Sequence, residues 1–343
     1  VLEAIDFWKY IKEEAQPILD IRVVDGYSNY FVHFNNKEVG GIPMGQMVEN
    51  RHLRIGLLKK AKELTSLKIY DEVLVKEVKI DAYKAEVTLS DDRIFNAPLL
   101  IASDGRHSKI RSNIGIKTLT KHYKQTAIVC VIEHEIPHEG LAIQRFFPVG
   151  PFAALPMQNN RSCLVWSEDK ELAPHLLNLP EAEFINEISK RLGNHLGKFK
   201  VIGKRFSYPL NMILAREFIS QRFALVGDSA HGIHPIAGQG VNVGFRDVAV
   251  MVQLIAEAMK LGQDIGSNSL LRHYQQWRRF DAMSMGLIMD SLTSLFSNDI
   301  TLIRKARDAG LDIVNKIPQL KRFFMRHAMG TLGELPEMMK KAG

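Results

Sequence analysis

The chain has 343 residues, enough to bury a sizeable core in one large domain or two ordinary ones. Its 46% hydrophobic and 24% charged content is typical of a globular protein, and no apolar run approaches the roughly 18 residues of a membrane-spanning helix. The net charge of +7 suits an anionic partner. Because the sequence contains no zinc finger, RNA-binding aromatic pair or continuous basic arm, it argues against a nucleic-acid partner.

Two features indicate a cytoplasmic protein. Residues 1–11 have the periodicity of an amphipathic helix and include acidic Glu3 and Asp6, which is unlike a secretory leader. The two cysteines, Cys130 and Cys163, lie in apolar strand-like runs. We interpret them as buried structural thiols, which fits a reducing compartment.

The first third of the chain alternates between short apolar segments and turn residues. Periodicity predicts, in chain order, a helix over 1–15, paired strands at 21–24 and 30–34, a helix over 51–64, and strands at 72–80, 86–89, 94–95 and 99–102. In the first helix, Ile5, Trp8 and Ile11 would lie on one face. The strand at 99–102 is apolar throughout and is therefore predicted to be buried.

The pattern changes at Lys117. Alternating segments predict an antiparallel sheet with strands at 127–132, 143–147, 162–166 and 201–206, and with one inserted helix over 181–192. A parallel-type strand at 223–226 then precedes a glycine-rich loop and a helix over 240–261. Residues 267–339 are predicted to be helical, with breaks at Asn298 and Pro318.

Residues 223–247 form the first of two motifs that indicate chemistry. An apolar strand ends at Gly227 and Asp228, and ligands of open α/β sheets bind at this carboxyl edge. The following loop contains Gly238 and Gly240, where backbone N–H groups can approach a ligand without an intervening Cβ. The next helix begins with unpaired donors and about half a positive charge. A flavin needs both a partner for its ribitol and positive potential beside its pyrimidine edge, so the motif indicates flavin binding.

Residues 99–111 form the second motif. Another strand ends at Asp104 and Gly105, and Ser108 and Arg111 follow. Gly105 permits a tight turn, Ser108 can cap a helix, and Arg111 supplies the fork of donors that binds phosphate or carboxylate. Taken alone, this pattern fits an ordinary strand–turn–helix equally well.

Together, the two motifs with a β-rich insert between them resemble the group A flavoprotein monooxygenases, which include the p-hydroxybenzoate hydroxylase type. Four segments are most similar to the ubiquinone-biosynthesis hydroxylases of the UbiH, UbiF and VisC type. They are VENRHLRIGLL at 48–58, HPIAGQGVNVGFRDV at 234–248, YQQWRR at 274–279 and FFMRHAMG at 323–330. The resemblance runs over nearly the whole chain.

The resemblance implies an FAD-dependent aromatic hydroxylase. NAD(P)H would reduce FAD, and an oxygen atom of dioxygen would be transferred to an electron-rich phenol, with the cofactor performing the difficult chemistry. The implied substrate is a polyprenyl phenol of ubiquinone biosynthesis. The implied partners are a complex of ubiquinone-biosynthesis proteins and the surface of the inner membrane, to which a cytoplasmic protein would attach peripherally.

The resemblance also assigns roles to individual residues. Pro235 would be the catalytic residue, with its carbonyl near the reacting ring, and Gly227 and Asp228 would lie at the ribitol. The residues that would face the isoalloxazine with backbone donors are Gly238, Gln239, Gly240, Val241 and Asn242. The residues on the side of the FAD phosphates would be Arg54, Asp104, Gly105, Ser108 and Arg111. Arg54 fits equally well as a solvated cation of its helix.

The implied fold is α/β, with a p-hydroxybenzoate-hydroxylase-like FAD-binding domain, an antiparallel β-sheet substrate domain inserted in it, and a helical C-terminus. The predicted divisions are 1–47 on the substrate side, 48–116 and 211–265 in the FAD-binding domain, 117–210 in the substrate sheet, and 266–343 in the helical region. The family begins with a strand, a GxGxxG turn and a helix that hold the ADP part of FAD. Roughly 60 residues of that unit have no counterpart here, so we expect low flavin occupancy.

Several alternatives stay open at this stage. A small soluble phenol is an alternative substrate, and a non-catalytic remnant or assembly subunit is an alternative function. The apolar run 146–157 fits either a pocket for an isoprenoid tail or a packed core. Residues 316–327, which alternate cations with large apolar side chains, fit either a packed amphipathic helix or a contact with anionic lipid.

Two other kinds of site are not expected. His231 and His234 form an H-x-x-H pair, but no third ligand lies at a suitable spacing, so we predict no metal site. Asp228, Ser229 and His231 are too close together in sequence to align as a catalytic triad, and there is no G-x-S-x-G elbow. A hydrolase is therefore rejected.

Overall fold

The computed structural model of the protein describes residues 1–26, 31–232, 238–296, 314–328, 330 and 334–340. In these residues the strands are β1 (Gln16–Ile18), β2 (Asp20–Asp25), β3 (Phe31–Asn35), β4 (Gly45–Met47), β5 (Val75–Ile80), β6 (Ala85–Leu89), β7 (Ile94–Ala97), β8 (Leu100–Ala102), β9 (Thr118–His134), β10 (Leu141–Phe147), β11 (Gly150–Met157), β12 (Arg161–Asp169), β13 (Phe199–Ala215), β14 (Ile219–Ser220), β15 (Phe223–Leu225) and β16 (His231–Gly232). The helices are α1 (Asn50–Lys62), α2 (Lys109–Asn113), α3 (Ala173–Asn178), α4 (Glu181–Leu192), α5 (Gly240–Lys260), α6 (Asn268–Phe296) and α7 (Pro318–Ala328). Short 3-10 helices occupy Trp8–Tyr10, Lys12–Glu14, Asn36–Val39, Gly227–Ser229 and Glu337–Met339.

An eight-stranded sheet with the order β16-β13-β9-β12-β11-β10-β2-β3 is the largest element of the fold. Its pairs are antiparallel except β10 with β2, which run parallel. The antiparallel sheet predicted after Lys117 and the predicted pair of β2 with β3 are both confirmed. The sheet is wider than predicted, because β2 and β3 join it at one edge and β16, which follows β15, joins it at the other.

Helices α3 and α4 cover one face of this sheet. In α4, Phe184, Ile188 and Leu192 recur every fourth residue and have no exposed surface, which is the pattern of a helix with one apolar face. They pack against Leu164 and Trp166 of β12 and their neighbours. The predicted helix 181–192 is confirmed. Helix α3 was not predicted, because six residues with a proline in the first turn are too short to show a period.

A smaller sheet, β14-β15-β8, carries both motif strands. Strand β15 is fully buried under α5 and α6, with Phe223, Ala224 and Leu225 all at 0% exposure. Strand β8 pairs with β15 on one side only within the described residues, and Ile101 is 40% exposed. The prediction that 99–102 is buried is therefore wrong for the middle of the strand, since an edge strand leaves alternate side chains open.

Helices α5 and α6 form the layer beside β15. The predicted helix 240–261 is confirmed as α5, and its buried residues Val243, Val250 and Leu254 belong to the same core as β15. Of the two predicted helix breaks, Asn298 lies outside the described residues. Pro318 starts α7, as predicted, because proline is tolerated in a first turn.

The N-terminal segment differs from its prediction. Instead of a helix over 1–15 it forms turns and two 3-10 helices, and Asp6 has a φ of +51°, which interrupts helical geometry. The buried side chains are Phe7 and Ile11, whereas Ile5 is 38% exposed. Phe7 packs on Gly56 of α1, where a Cβ would lie 3.0 Å from the ring. Glycine at 56 is what lets the segment approach α1.

The predicted helix 51–64 is confirmed as α1. The predicted strands 72–80, 86–89 and 94–95 are confirmed as the antiparallel sheet β5-β6-β7. The leucines of α1 are largely exposed, with Leu57 at 40% and Leu58 at 51%.

Helix α7 packs through one face. Met325 is 2% exposed, and Lys321 Nζ lies 2.7 Å from Glu38 Oε1. Arg322 and Phe324 lie at the exposed side, so the helix packs and also presents cationic and apolar groups. In the described part of the chain, no helix combines the length and the apolar character required to cross a bilayer.

Candidate active site

The two sequence motifs meet in the small parallel sheet. Leu100 and Ala102 of β8 are in register with Phe223 and Leu225 of β15, and Val226 N donates to Ala102 O at 3.0 Å. The carboxyl ends of parallel strands point to the same edge of a sheet. The turns that follow β8 and β15, which contain the two motif aspartates, therefore lie next to each other.

Arg111 joins the two turns. Its guanidinium donates to Ser229 O at 2.7 Å and to Arg106 O at 3.1 Å, and its backbone N–H donates to Ser108 Oγ at 2.9 Å. Burial leaves Arg111 6% exposed and lowers the pKa of its guanidinium. Ser108 thus caps α2 as predicted, and the Arg111 side chain holds two backbone carbonyls. A role for Arg111 at a phosphate stays a prediction.

Asp228 projects from the tip of β15 and its side chain is 44% exposed. Arg106 approaches it, with Nη2 3.5 Å from Asp228 Oδ2, and also donates through Nη1 to Asn211 Oδ1 at 2.9 Å. The arginine crosses Gly232, where a Cβ would lie 2.6 Å from Arg106 Nε. The sequence patterns do not single out Arg106; its only signal is its place directly after the Asp-Gly pair.

The glycine loop and the start of α5 leave open space. Gly238 has a φ of +62°, and a Cβ added at Gly238 or Gly240 would meet no described atom within 4 Å. The first turn of α5 has no side-chain cap and no acidic residue, and Val241 is 60% exposed. Among the described residues, no side chain caps the backbone N–H groups of this positive helix end, which suits an anionic ligand.

The remaining predicted site residues make fewer contacts with the two motif turns, or lie outside the described residues. Asp104 Oδ2 accepts a hydrogen bond from Ile110 N at 3.3 Å, and Gly105, with a φ of +84°, borders open space. Arg54 is exposed on α1, and no contact in the described chain joins it to either motif. Pro235, the predicted catalytic residue, lies outside the described residues.

The face of the large sheet opposite α3 and α4 is apolar in its centre. Because side chains alternate along a strand, the strand registers place one set of residues on this face, all half-buried: Val129, Val131, Leu155, Cys163 and Val165. We call these five residues the platform. Helix α6 packs against α5 and also contacts β11, the strand that carries Leu155 of the platform. The platform therefore belongs to the side of the sheet that borders the α5–α6 layer.

These features fit an FAD. Asp228 is a partly exposed acceptor for hydroxyl groups, and the glycines at 238 and 240 leave space where a Cβ would intrude. The uncapped start of α5 favours negative charge. The first turn of α5 contains no acidic side chain that would compete with the cofactor for its backbone N–H groups.

The comparisons with known proteins support the same cofactor. Residues 31–286 match the family described as FAD binding domain. The ubiquinone hydroxylase UbiL of Rhodospirillum rubrum is 46% identical over 337 residues, which cover 98% of this chain and 78% of that protein. The chain belongs to the FAD-dependent ubiquinone-biosynthesis hydroxylases.

Further relatives place this ubiquinone-biosynthesis hydroxylase within a wider group. The 3-demethoxyubiquinol 3-hydroxylase of Escherichia coli K12 is 31% identical over 289 residues, covering 84% of this chain and 73% of that protein. The crystal structure of the p-nitrophenol 4-monooxygenase PnpA from Pseudomonas putida has a TM-score of 0.78 at 17% identity, with 95% and 85% of the chains covered. At this identity the likeness shows the fold alone, and it confirms the predicted α/β monooxygenase fold.

The predicted family and cofactor of this ubiquinone-biosynthesis hydroxylase are therefore confirmed. The roles of its individual site residues and the five predicted divisions of the chain stay predictions.

Proposed function

We propose that the chain hydroxylates the aromatic ring of a polyprenyl phenol in ubiquinone biosynthesis, using FAD, NAD(P)H and dioxygen. Relatives at 46% and 31% identity carry the names ubiquinone hydroxylase and 3-demethoxyubiquinol 3-hydroxylase. The observation that carries the proposal is the contact of the turn of residues 227–229, which carries Asp228 at the carboxyl edge of β15, with α5, whose first turn has no side-chain cap. A bound flavin would use both an acceptor for its ribitol and the positive end of a helix.

Each residue of the proposed site has a role that its chemistry permits. When bound, FAD supplies the activation and transfer of oxygen. Asp228 accepts hydrogen bonds from the ribitol, and Arg106 holds the carboxylate in place. The N–H groups of Gly240 and Val241 stabilise negative charge at the pyrimidine edge, because they lie at a positive helix end. Pro235 remains the proposed catalytic position by its place in the motif.

The platform supports an apolar substrate. Its five side chains are aliphatic or a thiol, and burial raises the pKa of Cys163 to about 11, so that residue is uncharged at neutral pH. An apolar surface excludes water from the reacting ring, which oxygen transfer requires. A prenyl chain that lies on this surface gains about 0.8 kcal/mol for each buried methylene.

We also propose that α7 contacts the surface of an anionic membrane, where a polyprenyl substrate resides. Exposed Arg322 and the neighbouring apolar surface of α7 support this contact. We expect the chain to assemble with other ubiquinone-biosynthesis proteins at this membrane surface.

The test compares two substrates that differ only in the prenyl chain. The full chain, supplied with FAD, NADPH and oxygen-18 gas, should hydroxylate the prenylated phenol with at least a tenfold higher kcat/KM and incorporate one labelled oxygen. Val165→Thr, an isosteric change on the platform, should lower this preference about fivefold, because a poorly satisfied hydroxyl costs roughly 1 kcal/mol. Val149→Thr, in the exposed turn between β10 and β11, is the matched control.

Two outcomes contradict the proposal. Equal or better turnover of the phenol without its prenyl chain would point to a soluble substrate instead. A chain that binds FAD but incorporates no labelled oxygen into either phenol would be a non-catalytic subunit.

A further inference from the structure

We propose that Asp247 is a positioning residue for the flavin, acting through the backbone of Gly227 and so on the placement of Asp228. The inference deepens the proposed function and rests on it. Asp247 is the eighth residue of α5 and is 0% exposed. It therefore cannot touch the cofactor, and any effect on flavin binding must pass through its partners.

The Asp247 carboxylate links three separate elements. Oδ2 accepts from Gly227 N at 2.9 Å and lies 2.6 Å from His231 Nε2, and Oδ1 accepts from Arg278 Nε at 2.6 Å. Gly227 starts the turn that carries Asp228, His231 lies in β16, and Arg278 lies in α6. One buried side chain thus ties the tip of β15 to the helix whose N-terminus would face the flavin.

Backbone packing makes the same connection. Gly227 has a φ of +66°, and a Cβ placed at Gly244, in the second turn of α5, would lie 3.4 Å from Gly227 Cα. The turn of residues 227–229 therefore rests almost directly on the α5 backbone. The Gly227–Asp247 hydrogen bond and this contact together set the separation between Asp228 and the first turn of α5. A cofactor that uses both groups depends on that separation.

The surrounding charges keep Asp247 ionised. Burial opposes ionisation, but His231 and Arg278 hold the pKa of the Asp247 carboxyl below its usual value. Arg278 also donates to Asp281 Oδ2 at 2.6 Å, so the buried guanidinium has two acidic partners. An ionised carboxylate only accepts hydrogen bonds, and all three of its neighbours donate. An asparagine at 247 would turn an NH₂ group toward one of those donors.

The experiment separates positioning from stability with a pair of variants. Asp247→Asn is expected to lower the melting temperature and to weaken FAD binding at least tenfold, measured by quenching of flavin fluorescence. Asp247→Asn combined with Arg278→Met also removes the buried guanidinium, which in the single variant keeps only Asp281 as an acidic partner. This double variant should regain much of the melting temperature while FAD binding stays at least tenfold weak, because the acceptor for Gly227 N–H is still altered.

Two further variants complete the test. Asp264→Asn breaks a different Asp–Arg pair, with Arg222 at 2.6 Å, and should lower the melting temperature without changing FAD affinity. Gly244→Val leaves every charge in place. Its Cβ would already touch Gly227 Cα at 3.4 Å, so the two further methyl groups should displace the turn and weaken FAD binding. This variant decides the question if the Asp247 variants do not fold.

The positioning role is overturned if the double variant recovers wild-type FAD affinity, or if Gly244→Val and Asp247→Asn both bind FAD like the wild type. A wild-type chain that shows no saturable FAD binding would instead contradict the cofactor site itself, and the positioning role with it.

Discussion

Gly238 shows how a single backbone position can serve the proposed site. Its φ of +62° is a conformation that costs a residue with a side chain about 1–2 kcal/mol, and no described atom lies within 4 Å of a Cβ placed there. Gly238→Ala should therefore lower the unfolding free energy by roughly 1 kcal/mol and also weaken FAD binding, because the new methyl group enters the space assigned to the flavin. Urea unfolding and flavin titration measure the two effects.

Gly262→Ala is the matched control for that prediction. Gly262 has a φ of +65° and also borders open space, but it follows the far end of α5. Gly262→Ala should lower the unfolding free energy by a similar amount, because the backbone strain is the same, but it should leave FAD affinity unchanged. Equal losses of FAD affinity in both variants would show that the effect is strain alone.

At this scale, the sequence identified residues whose role depends on their immediate neighbours. Ser108 caps α2 by accepting from the N–H of Arg111, three residues later, and Asp228 follows an apolar strand, so both could be predicted from local spacing. Arg106 and Asp247 could not, because their partners Asn211 and Arg278 are remote in sequence. Only the fold shows that these residues meet.

Tyr274 holds two elements of the site region together. Its hydroxyl, in the buried part of α6, donates to Leu225 O of β15 at 2.7 Å, and burial raises its pKa well above the usual value. Tyr274→Phe leaves a buried carbonyl without this donor and should lower the unfolding free energy by about 1–3 kcal/mol. Tyr208→Phe, at a position that is 55% exposed, should change it by less than about 0.5 kcal/mol. Similar values for the two variants in chemical denaturation would contradict the role of Tyr274.

Elements with a clear period were predictable, and short or irregular ones were not. The spacing of Phe184, Ile188 and Leu192 gave the bounds of α4. Residues 1–15 have a similar apolar spacing, but the close packing of Phe7 on Gly56 favours 3-10 turns instead. The edge position of β8 also could not be predicted, because an apolar run does not show how many neighbours a strand has.

The whole molecule carries a net charge of +7, and the proposed membrane contact depends on where that charge lies. Arg322→Glu in α7 and Arg51→Glu in α1 change the net charge equally, and both arginines are exposed. Binding to vesicles that contain anionic lipid should weaken at least about fivefold in the α7 variant, since a basic residue near the surface contributes about 1 kcal/mol. Vesicle binding should change much less in the α1 variant. Added salt should weaken the vesicle binding of both variants, because it screens their attraction to the lipid.

Cosedimentation with vesicles measures this difference. Equal losses for the two variants would mean that net charge, rather than α7, governs adsorption. The absence of wild-type binding to anionic vesicles would remove the proposed contact altogether.

The central claim is that Asp228 and the start of α5 together hold the flavin. The most direct measurement is a fluorescence titration of FAD into the full chain and into Asp228→Asn, with Asp92→Asn on an exposed turn as the matched control. Hydrogen bonds to a charged group contribute about 1.5–3 kcal/mol, so Asp228→Asn should weaken FAD binding at least tenfold while Asp92→Asn binds like the wild type. Unchanged FAD affinity in Asp228→Asn would contradict the account.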